Sequence, residues 1–512
     1  MKKIFLLLII LILPNISPSQ APSIQWQQSY GGTNNDTPLC MRQTTDGGYV
    51  IAGYTYSNNG HVTGFQAGFD FWIVKLNADG SLQWQKALGG NNFDRANCIE
   101  QTSDGGYIVA GYSNSTTGDI NNNHGGYDYW VVKLSSAGVM EWQKSYGGTG
   151  DEQAFGISQT IEGGYIVTGI SFSNNGDVTG NHGGGDSWNV KLNSAGTIEW
   201  QKTVGGTNKE WSYAIKQIPD GSYIVAGESN SNNGDISGNH GDIDASIYKL
   251  SSTGTVVWQK SFGGTLFDYT YDIQQTTDGG YIAVGGTYST NGDITSNHGN
   301  RDIWVIKLTP LGAIDWQKTY GGSSYEHGST IRQTADGGYL VTGTTSSTDG
   351  DVVGLHGPTF TDAWLIKISN FGLIQWQRPY GGTNAESGYS GVGTIDGGYV
   401  FTSTVSSADG DATTNYGNSD FWVVKLGPDT LGMATNIYDN SLLLYPNPVQ
   451  DIIYFQTESV IILAVIYDLL GCKIRTYNII NNSVYIGDLA NGNYLLKTYS
   501  SDGMYTNKII KY

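Results

Sequence analysis

Residues 139–149 read V-M-E-W-Q-K-S-Y-G-G-T. After an acidic residue the chain continues with I-S-Q-T (157–160), E-G-G-Y-I-V-T-G (162–169), a Gly/Asn-rich loop and D-S-W-N-V-K-L (186–192). The same order recurs along most of the chain. Its marker tryptophans stand at 26, 84, 142, 200, 258, 316 and 376, so the spacing is 58 except for a last step of 60. A fixed period of this length, filled with short apolar runs, marks a repeat architecture and overrides the several-domain expectation that 512 residues would otherwise raise.

Each unit predicts four short antiparallel strands, A to D. In the second full unit A lies near Asn97 to Thr102, B over Tyr107 to Tyr112, C over Tyr129 to Leu134 and D over Met140 to Tyr146. Asp104-Gly105-Gly106 offers the positive φ angles of a tight hairpin between A and B, and Ser135 to Gly138 turns C into D. Four antiparallel strands per period make a propeller blade. The expected fold class is therefore all-β, with a seven-bladed β-propeller over 24–427. The chain opens on a D strand (Ile24 to Tyr30) and ends on A, B and C (Tyr389 to Leu426), so the last blade must be completed from the N-terminus. An open arc would leave two β edges bare.

Composition agrees. The chain holds 73 Gly, 34 Tyr and 14 Trp, with 14% charged residues, an aromatic and turn-rich profile. A formal charge of -19 excludes wrapping of a nucleic acid, which needs clustered cations. Lys2 and Lys3, the apolar run Ile4 to Leu13 and the small residues Ser17 and Ser19 read as a signal peptide over 1–19. That run, and Val460 to Leu470, are too short to span a bilayer. Cys40 and Cys98 are one repeat apart and fall in equivalent places of adjacent blades, either as small buried residues or as a disulfide, while Cys472 has no evident partner.

F-W-I-V-K-L-N-A-D-G-S-L-Q-W-Q-K-A-L-G-G (71–90) with D-G-G-Y-I-V-A-G-Y (104–112) resembles bacterial propeller repeats of the SBBP type, over about 24–427. Past a linker at 428–440, residues 441–512 resemble the type A C-terminal sorting domain of the type IX secretion system of Bacteroidetes. The residues that carry this are Tyr445-Pro446-Asn447-Pro448, Tyr467-Asp468 with Gly471, and Leu489 with Gly492 and Tyr494. Cys472 interrupts the family's usual Gly-Lys step. The resemblance implies a small Ig-like β-sandwich recognised by the outer-membrane translocon, then cut off as the body is released or anchored to surface lipopolysaccharide. Pro446 and Pro448 suit an edge strand.

Strand direction sorts the polar residues. B–C loops and D–A links share one face, the loop face; A–B and C–D turns share the other, the turn face. Ten residues after each marker tryptophan stands a carboxylate: Asp36, Asp94, Glu152, Glu210, Asp268, Glu326 and Glu386. The B–C loops add a Gly-Asp step (Asp119, Asp177, Asp235, Asp293, Asp351, Asp411), a histidine (His124, His182, His240, His298, His356) and a final aspartate (Asp70, Asp128, Asp186, Asp244, Asp302, Asp362, Asp420). The carboxylates should trace a ring on the loop face. One reading has them bonding backbone N–H groups, with each His donating to a loop carbonyl. Another has the oxygens holding Ca²⁺. A zinc centre is disfavoured because one His per blade spreads the ligands.

The tryptophans Trp72, Trp130, Trp188, Trp304, Trp364 and Trp422 read as blade-to-blade core, with Ser246 in the fourth unit thinning that interface. Residues that break the repeat are few: His327, Arg301, Lys209 and Trp211. No catalytic constellation emerges and no cofactor is expected. The functional expectation is a secreted or surface-anchored protein binding a glycan or protein ligand on the loop face; the alternative is a carbohydrate-active enzyme using acidic residues there.

Overall fold

The computed structural model describes residues 20–357, 359–429, 443–456, 461–467, 473–479, 482–500 and 503–512. The signal peptide, the linker beyond Asp429, and Gly471 and Cys472 of the tail lie outside them. The described residues contain strands and turns and no helix. Among the described residues two compact units emerge, 20–429 and the C-terminal tail from Leu443.

The first unit comprises seven four-stranded antiparallel sheets, a β-propeller. In the second full unit the strands are Asp94–Gln101, Tyr107–Ser113, Asp128–Leu134 and Met140–Tyr146. Strand A thus begins three residues earlier than the apolar pattern suggests. The cause is a bond invisible to periodicity: the Asp94 N–H donates to the Phe69 carbonyl of the preceding sheet at 2.7 Å, as Asp36 N–H does to Ser419 at 2.7 Å. Tethered there, the chain is extended from the carboxylate onward.

Each A strand packs on the A strand of the next sheet, and Asp36–Gln43 packs on Ser387–Gly393, so the A strands are innermost and the ring closes. Closure uses the N-terminal strand as expected: Ile24–Tyr30 pairs antiparallel with Asp420–Leu426, from Ile24 opposite Leu426 to Tyr30 opposite Phe421.

Between sheets, Trp72, Trp130, Trp188, Trp304, Trp364 and Trp422 are fully buried. Each indole N–H donates to a glutamine of strand D, such as Trp72 to Gln85 at 2.9 Å and Trp130 to Gln143 at 3.0 Å, so burial leaves no donor unpaired. At Ser246 the core changes character. The Tyr248 ring is buried instead, its hydroxyl reaching Ser187 at 2.5 Å and accepting from Asn189 Nδ2 at 2.9 Å on the preceding sheet.

On the turn face, the lysine of strand C reaches back to the acidic residue of the A–B hairpin in six sheets, as in Lys75 to Asp46, Lys133 to Asp104 and Lys307 to Asp278, each at 2.9 Å, while Lys191 pairs with Glu199 of strand D at 2.8 Å. Gly47, in that hairpin, has φ +82°, which a side chain would strain.

The tail has two sheets. One joins Leu443–Tyr445, Ile452–Gln456 and Ser483–Tyr485; the other joins Lys473–Asn478, Ile461–Tyr467, Gly492–Ser500 and Gly503–Lys511. They share a core of Ile453 and Phe455 from one and Ala464, Ile466 and Leu496 from the other. Leu443–Tyr445 is an edge strand, and Pro446 follows it rather than interrupting it. Asn447 of the sorting motif accepts from Ile510 N–H at 2.9 Å and donates to the Lys508 carbonyl at 2.8 Å. Tyr445 stacks on Tyr454, and Gly492 and Tyr494 open the third strand of the larger sheet.

Candidate functional site

The seven carboxylates that begin or precede the A strands sit beneath the loop face rather than on it. Asp36, Asp94, Glu152, Asp268, Glu326 and Glu386 are 0% exposed and Glu210 is 2% exposed. Each accepts a backbone N–H from the second glycine of its Gly-Gly link: Gly32 to Asp36 at 2.8 Å, Gly148 to Glu152 at 2.7 Å, Gly206 to Glu210 at 2.9 Å, Gly382 to Glu386 at 2.8 Å. Hydroxyls complete the shell, such as Ser115 to Asp94 at 2.9 Å, Ser289 to Asp268 at 2.7 Å and Thr345 to Glu326 at 2.8 Å. These residues fasten link to loop, and a ligand outside the protein does not reach them.

The histidines behave differently from the carbonyl-donor expectation. His124, His182, His240, His298 and His356 each place Nδ1 2.5–2.7 Å from the final aspartate of the same loop, with the backbone N–H of the same histidine bonded to that oxygen. The aspartate, already recruited to begin strand C, is closer and more strongly accepting than a carbonyl. The histidine side chains remain 27–41% exposed.

The aspartates also approach the A-strand carboxylates across each sheet boundary. A Cβ placed on Gly89 would lie 2.4 Å from Asp70 Oδ1 and 2.6 Å from Asp94 Oδ2, so both acids converge on one glycine. Asp70, Asp128, Asp186, Asp244, Asp302, Asp362 and Asp420 each keep Oδ1 buried without a hydrogen-bond partner. Burial pushes Asp70 and Asp420 up to about 7 and Asp94 and Asp128 up to about 6. The described residues contain no group of three or more His, Cys, Asp or Glu arranged to hold a metal.

The cavity on the propeller axis was not legible in the repeat pattern. Every A strand carries a bulge, as between Ala96 and Cys98, Ser212 and Ala214, and Thr270 and Asp272. The extra residue reverses the inside–outside alternation. Positions three and four after the carboxylate therefore both line a cavity of about 460 Å³ in all seven A strands, joined by position one in Arg95, Gln153, Trp211 and His327 and by position six in Arg42, Lys216 and Arg332.

Toward the loop face the wall is aromatic: Phe155 lies 5.6 Å from Trp211 and 5.3 Å from Tyr213, and Tyr213 lies 4.4 Å from Tyr271. A separate group of rings, Tyr54, Tyr56, Phe69 and Phe93, lies on the loop face, with the Arg95 guanidinium 5.3 Å above Tyr54. His327, one of the pattern-breaking residues, bonds Tyr269 through Nδ1 at 3.0 Å; burial lowers it to about 3, so it is a neutral wall element. Behind Tyr213 stands Glu228, 9% exposed and raised by burial to about 7, in a place where the other sheets carry Tyr54, Tyr112, Ile170, Gly286, Thr344 and Thr404.

Deeper, six residues after each carboxylate, Arg42, Glu100, Lys216 and Arg332 form ion pairs. Glu100 meets Lys216 and, at 3.9 Å, Arg42; Arg332 meets Asp272. Cys40 and Cys98 lie here as free buried thiols, Sγ 3.7 Å apart, and Cys40 accepts from Ile99 N–H at 3.4 Å, the role that Asp272 plays toward Ile331 at 3.0 Å.

Residues 443–512 match the family described as the secretion system C-terminal sorting domain. No match is found among the curated proteins. Similar solved structures include the WD40 domain of Neurospora crassa Pan2, with 10% identity, TM-score 0.43 and coverage of 79% of this chain and 97% of that one. The extracellular domain of a putative hybrid two-component system from B. thetaiotaomicron gives 12%, 0.42, 96% and 60%. PorZ of Porphyromonas gingivalis, a surface component of the type IX secretion system, gives 11%, 0.27, 91% and 73%. Among the described residues no helix is long and apolar enough to cross a membrane. Repeated four-stranded sheets followed by this tail make the chain a β-propeller protein exported through the type IX secretion system to the cell surface or beyond.

Proposed function

We propose that this protein binds a glycan at the aromatic mouth of its central cavity, without chemical turnover. The observation that carries the reading is a pair of ring groups, Phe93, Phe69, Tyr56 and Tyr54 on the loop face and Phe155, Trp211, Tyr213 and Tyr271 in the cavity wall. Phe93 is 40% and Tyr56 37% exposed, and open aromatic surface of this kind is costly unless a partner covers it. Sugar rings present flat C–H faces that stack on such side chains, while hydroxyls find the amides of Asn97 and Gln153 in the cavity lining. A cavity of about 460 Å³ with apolar walls and a few polar groups is of ligand size.

A second reading, carbohydrate cleavage at the same mouth, is favoured by Glu228. A carboxyl held near neutrality by burial and bonded to Tyr213 of the cavity wall can act as a general acid through the Tyr213 hydroxyl. The test is a glycan and host-protein array probed with the exported protein, scored beside loss of surface carbohydrate. Glycan retention with no product supports binding. Product release that Glu228→Gln abolishes supports the enzyme, and capture of proteins alone would overturn both.

A further inference from the structure

We infer that the central cavity takes an acidic polysaccharide, its sugar rings against Phe155, Trp211 and Tyr213 and its carboxylates directed to Arg42, Arg95 and Arg332. The inference deepens the glycan reading above and rests on it. Its starting point is a contrast of sign. The whole chain has a formal charge of -19, yet the cavity wall presents Arg42, Arg95, Lys216 and Arg332 against Asp272, with Glu100 paired behind Lys216. Two positive charges are left in excess.

The repeat does not impose this. The same position of the seven A strands reads Arg42, Glu100, Ser158, Lys216, Gln274, Arg332 and Val392. The cations come from separate sheets and meet because the fold is radial. Side chains of Arg42, Lys216 and Arg332 are 18%, 24% and 17% exposed, so little water screens them. Charges of one sign inside low-dielectric walls focus their field on whatever enters. Arg95 stands at the mouth, held by Asn97 at 3.0 Å and the Tyr54 ring, with no carboxylate partner among the described residues. Guanidinium groups suit planar carboxylates, which they grip with two parallel hydrogen bonds. Aromatic wall and guanidinium together fit a ring that carries a carboxylate, which neither a neutral glycan nor an acidic peptide combines.

The test titrates the exported protein with oligogalacturonate and oligoalginate, with methyl-esterified oligogalacturonate, with neutral cello-oligosaccharides and with polyglutamate, followed by calorimetry and tryptophan fluorescence. The free acids should bind at least about tenfold tighter than the ester, and the difference should shrink as salt is raised. Arg95→Gln should cut acid binding about tenfold and bring the acid-to-ester ratio close to one. The paired change Arg332→Gln with Asp272→Asn removes an ion pair as a unit and leaves the excess of two charges in place, so it should weaken acid binding only through the lost guanidinium contact, by less than Arg95→Gln does. Should the paired variant misfold by circular dichroism, Arg95→Gln alone decides. Equal binding of acid, ester and neutral glycan would overturn this inference and leave the glycan reading standing. Binding of polyglutamate alone, or of no probe, would overturn both.

Discussion

The indole N–H of Trp422 donates to Oε1 of Gln27 at 2.8 Å, although the residues are 395 positions apart. It is the bond that Trp72 makes to Gln85, thirteen positions away, within a single unit. The N-terminal strand therefore supplies the last sheet with its strand D in full chemical detail. Deleting residues 20–30 should bare the strand Asp420–Leu426 as an edge, with a lower melting temperature and soluble oligomers. Light scattering after size exclusion measures this; a monomer with an unchanged melt would contradict it.

The two faces of the propeller respond to pH with opposite sign. On the loop face, burial raises Asp70 and Asp420 to about 7 and Asp94 and Asp128 to about 6, so the folded state holds protons that the unfolded chain releases. That stability is present at about pH 4 and is lost as pH rises through 6 to 7. On the turn face, Asp46, Asp104 and Asp278 are desolvated, yet hydrogen bonds from threonine and lysine outweigh that and hold them at about 2; their contribution is present above about pH 4 and lost as pH falls through 2. Thermal melts across pH 2–9 should peak near pH 4–5. A maximum at pH 8 would refute the loop-face half.

Asp70→Asn tests one boundary. Asp70 Oδ1 is buried without a partner and faces the glycine that Asp94 also faces. An amide there removes a charge and adds a donor toward Asp94. Stability at pH 8 should rise by about 2 kcal/mol, with little change at pH 5. An equal loss at both pH values would mean that the carboxylate is needed for its shape and hydrogen bonds rather than tolerated as a charge.

Removal of calcium is expected to leave the melting temperature unchanged, since backbone N–H groups and hydroxyls already bond each A-strand carboxylate, with Asp94 Oδ1 alone left over. Melts with and without a chelator measure it. A fall of several degrees would show a cation bound to the folded state.

Deleting residues 443–512 should strand the protein in the periplasm, because that segment matches the sorting domain. Fractionation with an antibody to the propeller reads the result, and mature protein outside the cell would exclude this route.

What the sequence by itself determined was local and periodic. Turn glycines, strand alternation and the 58-residue step fixed the strands to within a few residues, and an opening strand D without its own A, B and C required closure by Ile24–Tyr30. The loop-face acids were legible as a set, because one offset in every unit must trace a circle. Their burial was not, since hydrogen bonds to Gly32 or Ser115 come from turns whose approach is tertiary. The cavity was hidden for a further reason. A bulge adds one residue and flips the parity of everything after it, so Arg42, Lys216 and Arg332 could not be assigned to the axis from alternation alone. Only the ring brings three cations from distant repeats into one cavity, as it brings Cys40 to Cys98, because proximity across sheets is a property of closure and not of any single unit.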